Sequence, residues 1–211
     1  MPKPMVSATL RIEVRDDRGR VVKVIETPSR SFTQNFATLF FASMWSAYSI
    51  YHWNLIYTAY DVMGNPIASL LNNVGFLFYS EPQFILSPYQ SYTIYMPGVW
   101  PGAAFCPEPV YAYGPCSPIS TSVLSPSLFS FPSSPVLTAY GWQMTYSQTW
   151  TNVTGSPVIV SSVALVFGAS GDPIAPNYYI LYTAIVDNVS PPVFISSNYS
   201  VTFTYYIIYA V

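Results

Sequence analysis

Apolar and polar residues alternate with a period of two over several stretches of this chain, the pattern of strands with one buried face. Leu10, Ile12 and Val14 alternate with Arg11, Glu13 and Arg15. Asp16-Asp17-Arg18-Gly19 supplies turn residues and Val22 to Glu26 returns, so residues 9–26 predict a hairpin with one wet face. Trp142, Met144, Tyr146 and Trp150 alternate with Gln143, Thr145, Ser147 and Thr149 in the same way. Val158 to Phe167, Tyr178 to Val186 and Tyr199 to Val211 are near-continuous apolar runs. Turn-rich segments at Thr151 to Pro157 and Gly168 to Pro173 bound the first of them. Strands at this spacing predict a mainly β fold, an antiparallel, jelly-roll-like β-sandwich.

One segment changes period. Ser31 and Gln34 have capping-box spacing, and Phe32, Phe36, Leu39, Phe40, Trp45 and Tyr48 then recur at helical intervals. Phe41 and Met44 widen the stripe, so residues 32–48 predict a helix enclosed on most sides. Phe36 to Tyr60 carries no formal charge and is long enough to resemble a membrane span. Its Thr38, Ser43, Ser46, Ser49, His52 and Asn54 fit a helix buried in protein better than one facing lipid. Membrane partnership is therefore the third reading of the chain.

From Pro82 to Pro135 there are eleven prolines in 54 residues. Each removes a ladder donor, so a central strand is not expected there. Phe84, Ile85, Leu86, Tyr95, Trp100, Phe105 and Tyr111 need cover, which argues against a disordered linker. The expected organisation is a single domain over 1–211, with a charged hairpin at 1–30 and, at 82–135, a proline-rich ordered excursion with short edge strands. That excursion is a candidate surface for subunit contact.

Charge sharpens the picture. All seven lysines and arginines lie in the first thirty residues, beside four acids, while five acids and no bases follow Arg30. Only 8% of the chain is charged, against about a quarter in ordinary soluble domains. Half of it is apolar, which excludes disorder. A body so poor in charge is expected to have its surfaces covered by copies of itself. Without a basic patch after Arg30, it also has no electrostatic basis for binding nucleic acid. The cationic hairpin can dock on the acidic body of a neighbour, which makes Arg11, Arg15 and Lys23 assembly candidates. The last strand, with Val201, Phe203, Tyr205, Ile207 and Tyr209, has no charge to blunt an edge. It either completes its own sheet or adds to a neighbour's, as in donor-strand assembly.

Candidates for chemistry are few. Cys106 and Cys116 bracket a loop stiffened by Pro107, Pro109 and Pro115, and either form a disulfide or remain as two buried thiols. A disulfide implies an oxidising, extracellular setting. Two thiols without a nearby histidine do not make a zinc site. Asn152-Val-Thr154, Asn188-Val-Ser190 and Asn198-Tyr-Ser200 are glycosylation sequons. His52, the single histidine, lies between Tyr51 and Trp53 and reads as a packed side chain. With no Gly-x-Ser-x-Gly, phosphate loop or metal spacing, neither catalysis nor a cofactor is expected. The start, Met1-Pro2-Lys3-Pro4, leads into charges where the apolar core of a secretory signal would lie.

Two ends of the chain carry a pattern seen elsewhere. At the front, Leu10-Arg-Ile-Glu-Val-Arg-Asp-Asp-Arg-Gly19 is followed by Ser29-Arg-Ser31-Phe32-Thr-Gln-Asn35-Phe36. At the back come Thr149-Trp-Thr-Asn152, Val158 to Gly168, Ile180 to Asp187 and Val201 to Tyr209. This order resembles virion structural proteins of viruses and proviruses of thermophiles, from tailed bacteriophages and archaeal viruses. The resemblance covers about 100 residues, omits the proline-rich middle, and departs in lacking charges through the later strands. It implies a coat, decoration or fibre protein: a non-enzymatic, self-assembling subunit of a virion or extracellular filament, located outside the cell or on a virion surface. Its partners would be copies of itself, with other virion proteins or a host surface as further ones. The alternative is a receptor-binding or adhesion module, with the tyrosine-rich excursion as its binding surface.

Overall fold

A computed structural model describes residues 5–29, 32–33, 98–107, 114–127, 134–170 and 179–210. Among them are nine strands: β1 (Met5–Arg15), β2 (Val21–Ser29), β3 (Gly98–Gly102), β4 (Leu124–Pro126), β5 (Val136–Thr138), β6 (Gly141–Asn152), β7 (Val158–Ser170), β8 (Tyr179–Ile195) and β9 (Ser200–Ala210). They form two antiparallel sheets. The larger runs β2-β1-β9-β6-β4, with β5 also on the outer side of β6; the smaller runs β3-β7-β8. The mainly β, two-sheet expectation is met.

Side-chain period explains why the sheets face each other. Tyr146, Gln148, Trp150 and Asn152 of β6 are buried and lie opposite Tyr205, Phe203, Val201 and Tyr199–Ser200 across the ladder. Leu10, Ile12 and Val14 continue that face into β1. The alternate positions face outward, and there Ser147 pairs with Thr204 at 3.0 Å and Thr149 with Thr202 at 2.8 Å through their hydroxyls. In the smaller sheet, Val160 to Val166 are all buried, as are Val99 and Trp100 of β3 and Ile185, Val186 and Val193 of β8. These residues belong to one apolar core.

Polar ties cross that core. Trp150 Nε1 donates to Val99 O at 2.8 Å, and Val99 N donates to Gln148 Oε1 at 2.9 Å. Gln148 lies close against position 98, where a Cβ in place of Gly98 would stand 2.3 Å from Oε1. Tyr205 donates its hydroxyl to Val163 O at 3.2 Å. Asn152 Nδ2 donates to Ile195 O at 2.8 Å. Each tie satisfies a buried polar group that would otherwise cost about 1–3 kcal/mol.

Several expectations change. The helix expected from residue 32 does not start there: Phe32 bridges Ile185, and Thr33 N donates to Ala184 O at 3.0 Å, as an extended segment along β8. Residues 34–48 lie outside the described residues, as do the 36–60 stretch and His52. The proline-rich middle holds short edge strands, as expected of it. All five residues of β3 are buried, and Pro101 is accommodated because, among the described strands, only β7 pairs with β3. β8 runs past Val186 to Ile195, through Asp187 and the cis Ser190–Pro191 bond, with the register shifting opposite Ser161. An edge strand tolerates those prolines as a central one would not.

The hairpin turn is built as its residues suggest. Gly19 takes φ +78°. Asp16 Oδ1 accepts from Arg18 N and Arg20 N at 3.0 and 2.8 Å, and its Oδ2 accepts from Arg20 Nε at 2.7 Å.

Burial pushes the Tyr146 and Tyr205 hydroxyls well above the ordinary tyrosine range, and the charge and hydrogen bond of Asp187 add to this at Tyr205. In the unfolded chain both ionise near about pH 10, so above that pH the unfolded state loses protons that the folded state keeps. The contribution of these two tyrosines to stability is therefore level below that pH and falls above it, by up to about 1.4 kcal/mol per pH unit for each. Denaturant midpoints measured across alkaline pH check this, and Tyr205→Phe should make the decline shallower. An equally steep decline in that variant would contradict it.

Candidate assembly surface

Among the described residues, the sequence-predicted assembly residues do not form one patch. Arg11 and Arg15 lie on the outward face of β1 with Glu13 between them. Arg11 Nη2 is 3.1 Å from Glu13 Oε2, Arg15 Nη2 bonds the other oxygen, and Arg11 Nη1 reaches Glu26 at 4.0 Å. Arg11 first, and then Arg15, hold the Glu13 carboxyl below its ordinary range. These cations are therefore partly neutralised inside their own hairpin, and exposed pairs of this kind contribute about 0–1 kcal/mol each. Lys23 stands opposite Val14 in the ladder, on the other face of the hairpin. The strand period thus puts Arg11 and Arg15 on one face of the hairpin and Lys23 on the other.

The terminal strand takes the first of its two expected places and completes its own sheet. Val201, Phe203, Tyr205 and Ile207 are buried, and β9 is hydrogen-bonded to β1 on one side and β6 on the other. It is a central strand of its own chain and has no free edge to add to a neighbour. Tyr209, at its far end, is half-buried.

Exposed apolar groups cluster instead at the two rims of the larger sheet, with others at Phe105, Val153, Ile159 and Phe194. At the β5–β6 hairpin, Leu137 is 65% exposed and Tyr140 77% exposed, with Val136 and Trp142 also exposed. Leu137 pairs with Trp142, Trp142 with Tyr209, and Tyr209 with Val6. Cross-strand partners share a face, so these four make an apolar row across β5, β6, β9 and β1. Gly141 fixes the hairpin: its φ is +128°, and a Cβ there would stand 2.2 Å from Tyr209 O. At the opposite rim, β2 exposes Val21, Val22 and Val24 and pairs only with β1 among the described strands.

The two cysteines form a disulfide with Cα atoms 5.2 Å apart. Its loop is pinned to the smaller sheet. Asn188 Oδ1 accepts from Cys106 N at 2.7 Å while its Nδ2 donates to Cys106 O at 2.9 Å. Cys116 N donates to Ser162 Oγ at 3.2 Å. The Cys106 and Cys116 segment and the Phe32–Thr33 segment thereby occupy positions along β3 and β8, while the rims of the larger sheet keep their exposed apolar residues.

Among the described residues no three His, Cys, Asp or Glu side chains cluster as metal ligands. No helix among them is long and apolar enough to cross a membrane. Sequence reasoning missed the β5–β6 rim and the structural parts played by Gln148, Asn152 and Asn188. The Asn152-Val-Thr-Gly turn chemistry was the available signal for one of them. Comparison with protein-family models, curated proteins and solved structures finds no match.

Closing a loop of this length with a disulfide is worth about 2–3 kcal/mol. The double variant Cys106→Ser, Cys116→Ser should lose that much, read from denaturant midpoints. An unchanged midpoint would mean that Asn188 and Ser162 alone hold the loop.

Proposed function

We propose that this chain is a self-assembling structural subunit, non-enzymatic, of a virion or extracellular filament. The observation that carries the reading is the pair of exposed apolar rims on opposite edges of one sheet, the β5–β6 hairpin and β2, on a body without cations after Arg30. Exposed apolar edges are sites of association unless charge or cover blunts them. A contact between two unlike rims is heterologous, so it repeats from copy to copy and yields a filament, a ring or a shell lattice. The partner is a second copy of the chain. Strand exchange through β9 is not required, since the rims are separate from that strand.

The disulfide supports an extracellular place, because such bonds persist in oxidising surroundings. Stability at high temperature would come from packing and prolines, since a body without cations cannot build ion-pair networks.

Sedimentation of variants tests the contact. Leu137→Asp combined with Trp142→Ser should lower the assembled fraction at least tenfold at equal concentration. Replacing Arg11, Arg15 and Lys23 with glutamine should leave assembly within about twofold at low salt, because these cations are paired locally or lie on opposite faces. The reverse pattern would favour a charge-docked contact over the apolar rims.

A further inference from the structure

Three asparagines stand in sequons, and the fold treats them differently. Asn152 is fully buried. Its Nδ2, the atom that a glycan would be joined to, donates to Ser156 O at 2.9 Å and Ile195 O at 2.8 Å. Its Oδ1 accepts from the backbone N and hydroxyl of Thr154, the sequon's own threonine, at 2.9 and 2.7 Å. A sugar there would displace two hydrogen bonds and enter the core.

Asn188 is exposed, yet its amide is committed. Both polar atoms of the side chain face the backbone of Cys106, so the hydrogen in use is the one on the Oδ1 side of Nδ2. A substituted amide prefers the trans form, which places the attached carbon on that same side. Glycosylation of Asn188 would therefore break the clamp that holds the disulfide loop to β8.

Asn198 meets neither obstacle. It is exposed in the turn that joins β8 to β9, where Tyr199 N donates to Ser196 O at 3.1 Å. Its φ of +63° is a left-handed value that asparagine tolerates. Its backbone N donates to Asn152 O at 3.0 Å, which anchors the turn without engaging the side chain. The same end of the sandwich exposes Val153 and, on the outer face of the smaller sheet, the cross-strand pair Ile159 and Phe194.

We propose that Asn198 is the chain's N-glycan acceptor and that Asn152 and Asn188 are unmodified structural residues. The glycan stands over an end of the molecule that carries exposed apolar side chains, and it supplies hydration that charge does not. It also keeps that end out of close packing, whatever the chain assembles with.

Peptide mapping of the native protein by mass spectrometry tests this. The peptide containing Asn198 should carry sugar mass, and those containing Asn152 and Asn188 should have unmodified masses. An unmodified Asn198, or sugar on either of the others, overturns the proposal. In a glycosylating host, Ser200→Ala removes the sequon while leaving Asn198 in its left-handed turn. The folded variant should lose the whole added mass, and retention of that mass would also overturn the assignment.

Discussion

The double-sided pairing of β9 is the constraint on which the rest of the structure depends. Ser200 to Ala210 pairs with β1 from Arg15 to Met5 and with β6 from Thr151 to Trp142. The charged N-terminal hairpin joins the larger sheet through this strand. Its inward residues Val201, Phe203, Tyr205 and Ile207 also form the floor on which the smaller sheet packs. A strand with strong β propensity and no charge is an association hazard when exposed. In the centre of the sheet both of its edges are hydrogen-bonded to strands of its own chain.

That placement moves the sticky surface elsewhere. With β9 enclosed, the edges of the larger sheet fall to β2 on one side and to the short β4 and β5 on the other. Short edge strands ordinarily limit pairing with other chains, and β5 spans only Val136–Thr138. Its exposed Val136 and Leu137, with Tyr140 and Trp142 beside them, work against that protection. Gly141 holds these side chains in a fixed hairpin, because its left-handed backbone and the close approach of Tyr209 O admit no side chain. A rigid apolar projection loses little conformational entropy on contact.

Much of this was legible in the residues. Alternation over Leu10 to Arg15 and over Trp142 to Trp150 marked β1 and β6, and Asp16 to Gly19 marked the turn between β1 and β2. The cysteine spacing pointed to the disulfide that is observed. Other features depended on tertiary context. Period-two patterning cannot tell a central strand from an edge strand, so β9 left the donor reading open beside the internal one. Alternation put Arg11, Glu13 and Arg15 on one face, but only the ladder register shows that Lys23, opposite Val14, lies on the other. The apolar run was read as ending at Val186, yet β8 continues through Pro191 and Pro192 to Ile195. The capping-box pattern at Ser31 and Gln34 was outweighed at Phe32 and Thr33 by backbone pairing with β8. Asn152 and Asn188 read as sequons because only the folded chain brings Ile195 and Cys106 to their amides.

Self-association is most directly tested by electron microscopy of the purified native protein at neutral pH without detergent. Regular filaments, rings or shells with a repeat the size of one subunit are expected. A field of dispersed monomers at concentrations well above those of ordinary subunit contacts would contradict the structural role and favour a receptor-binding or adhesion module.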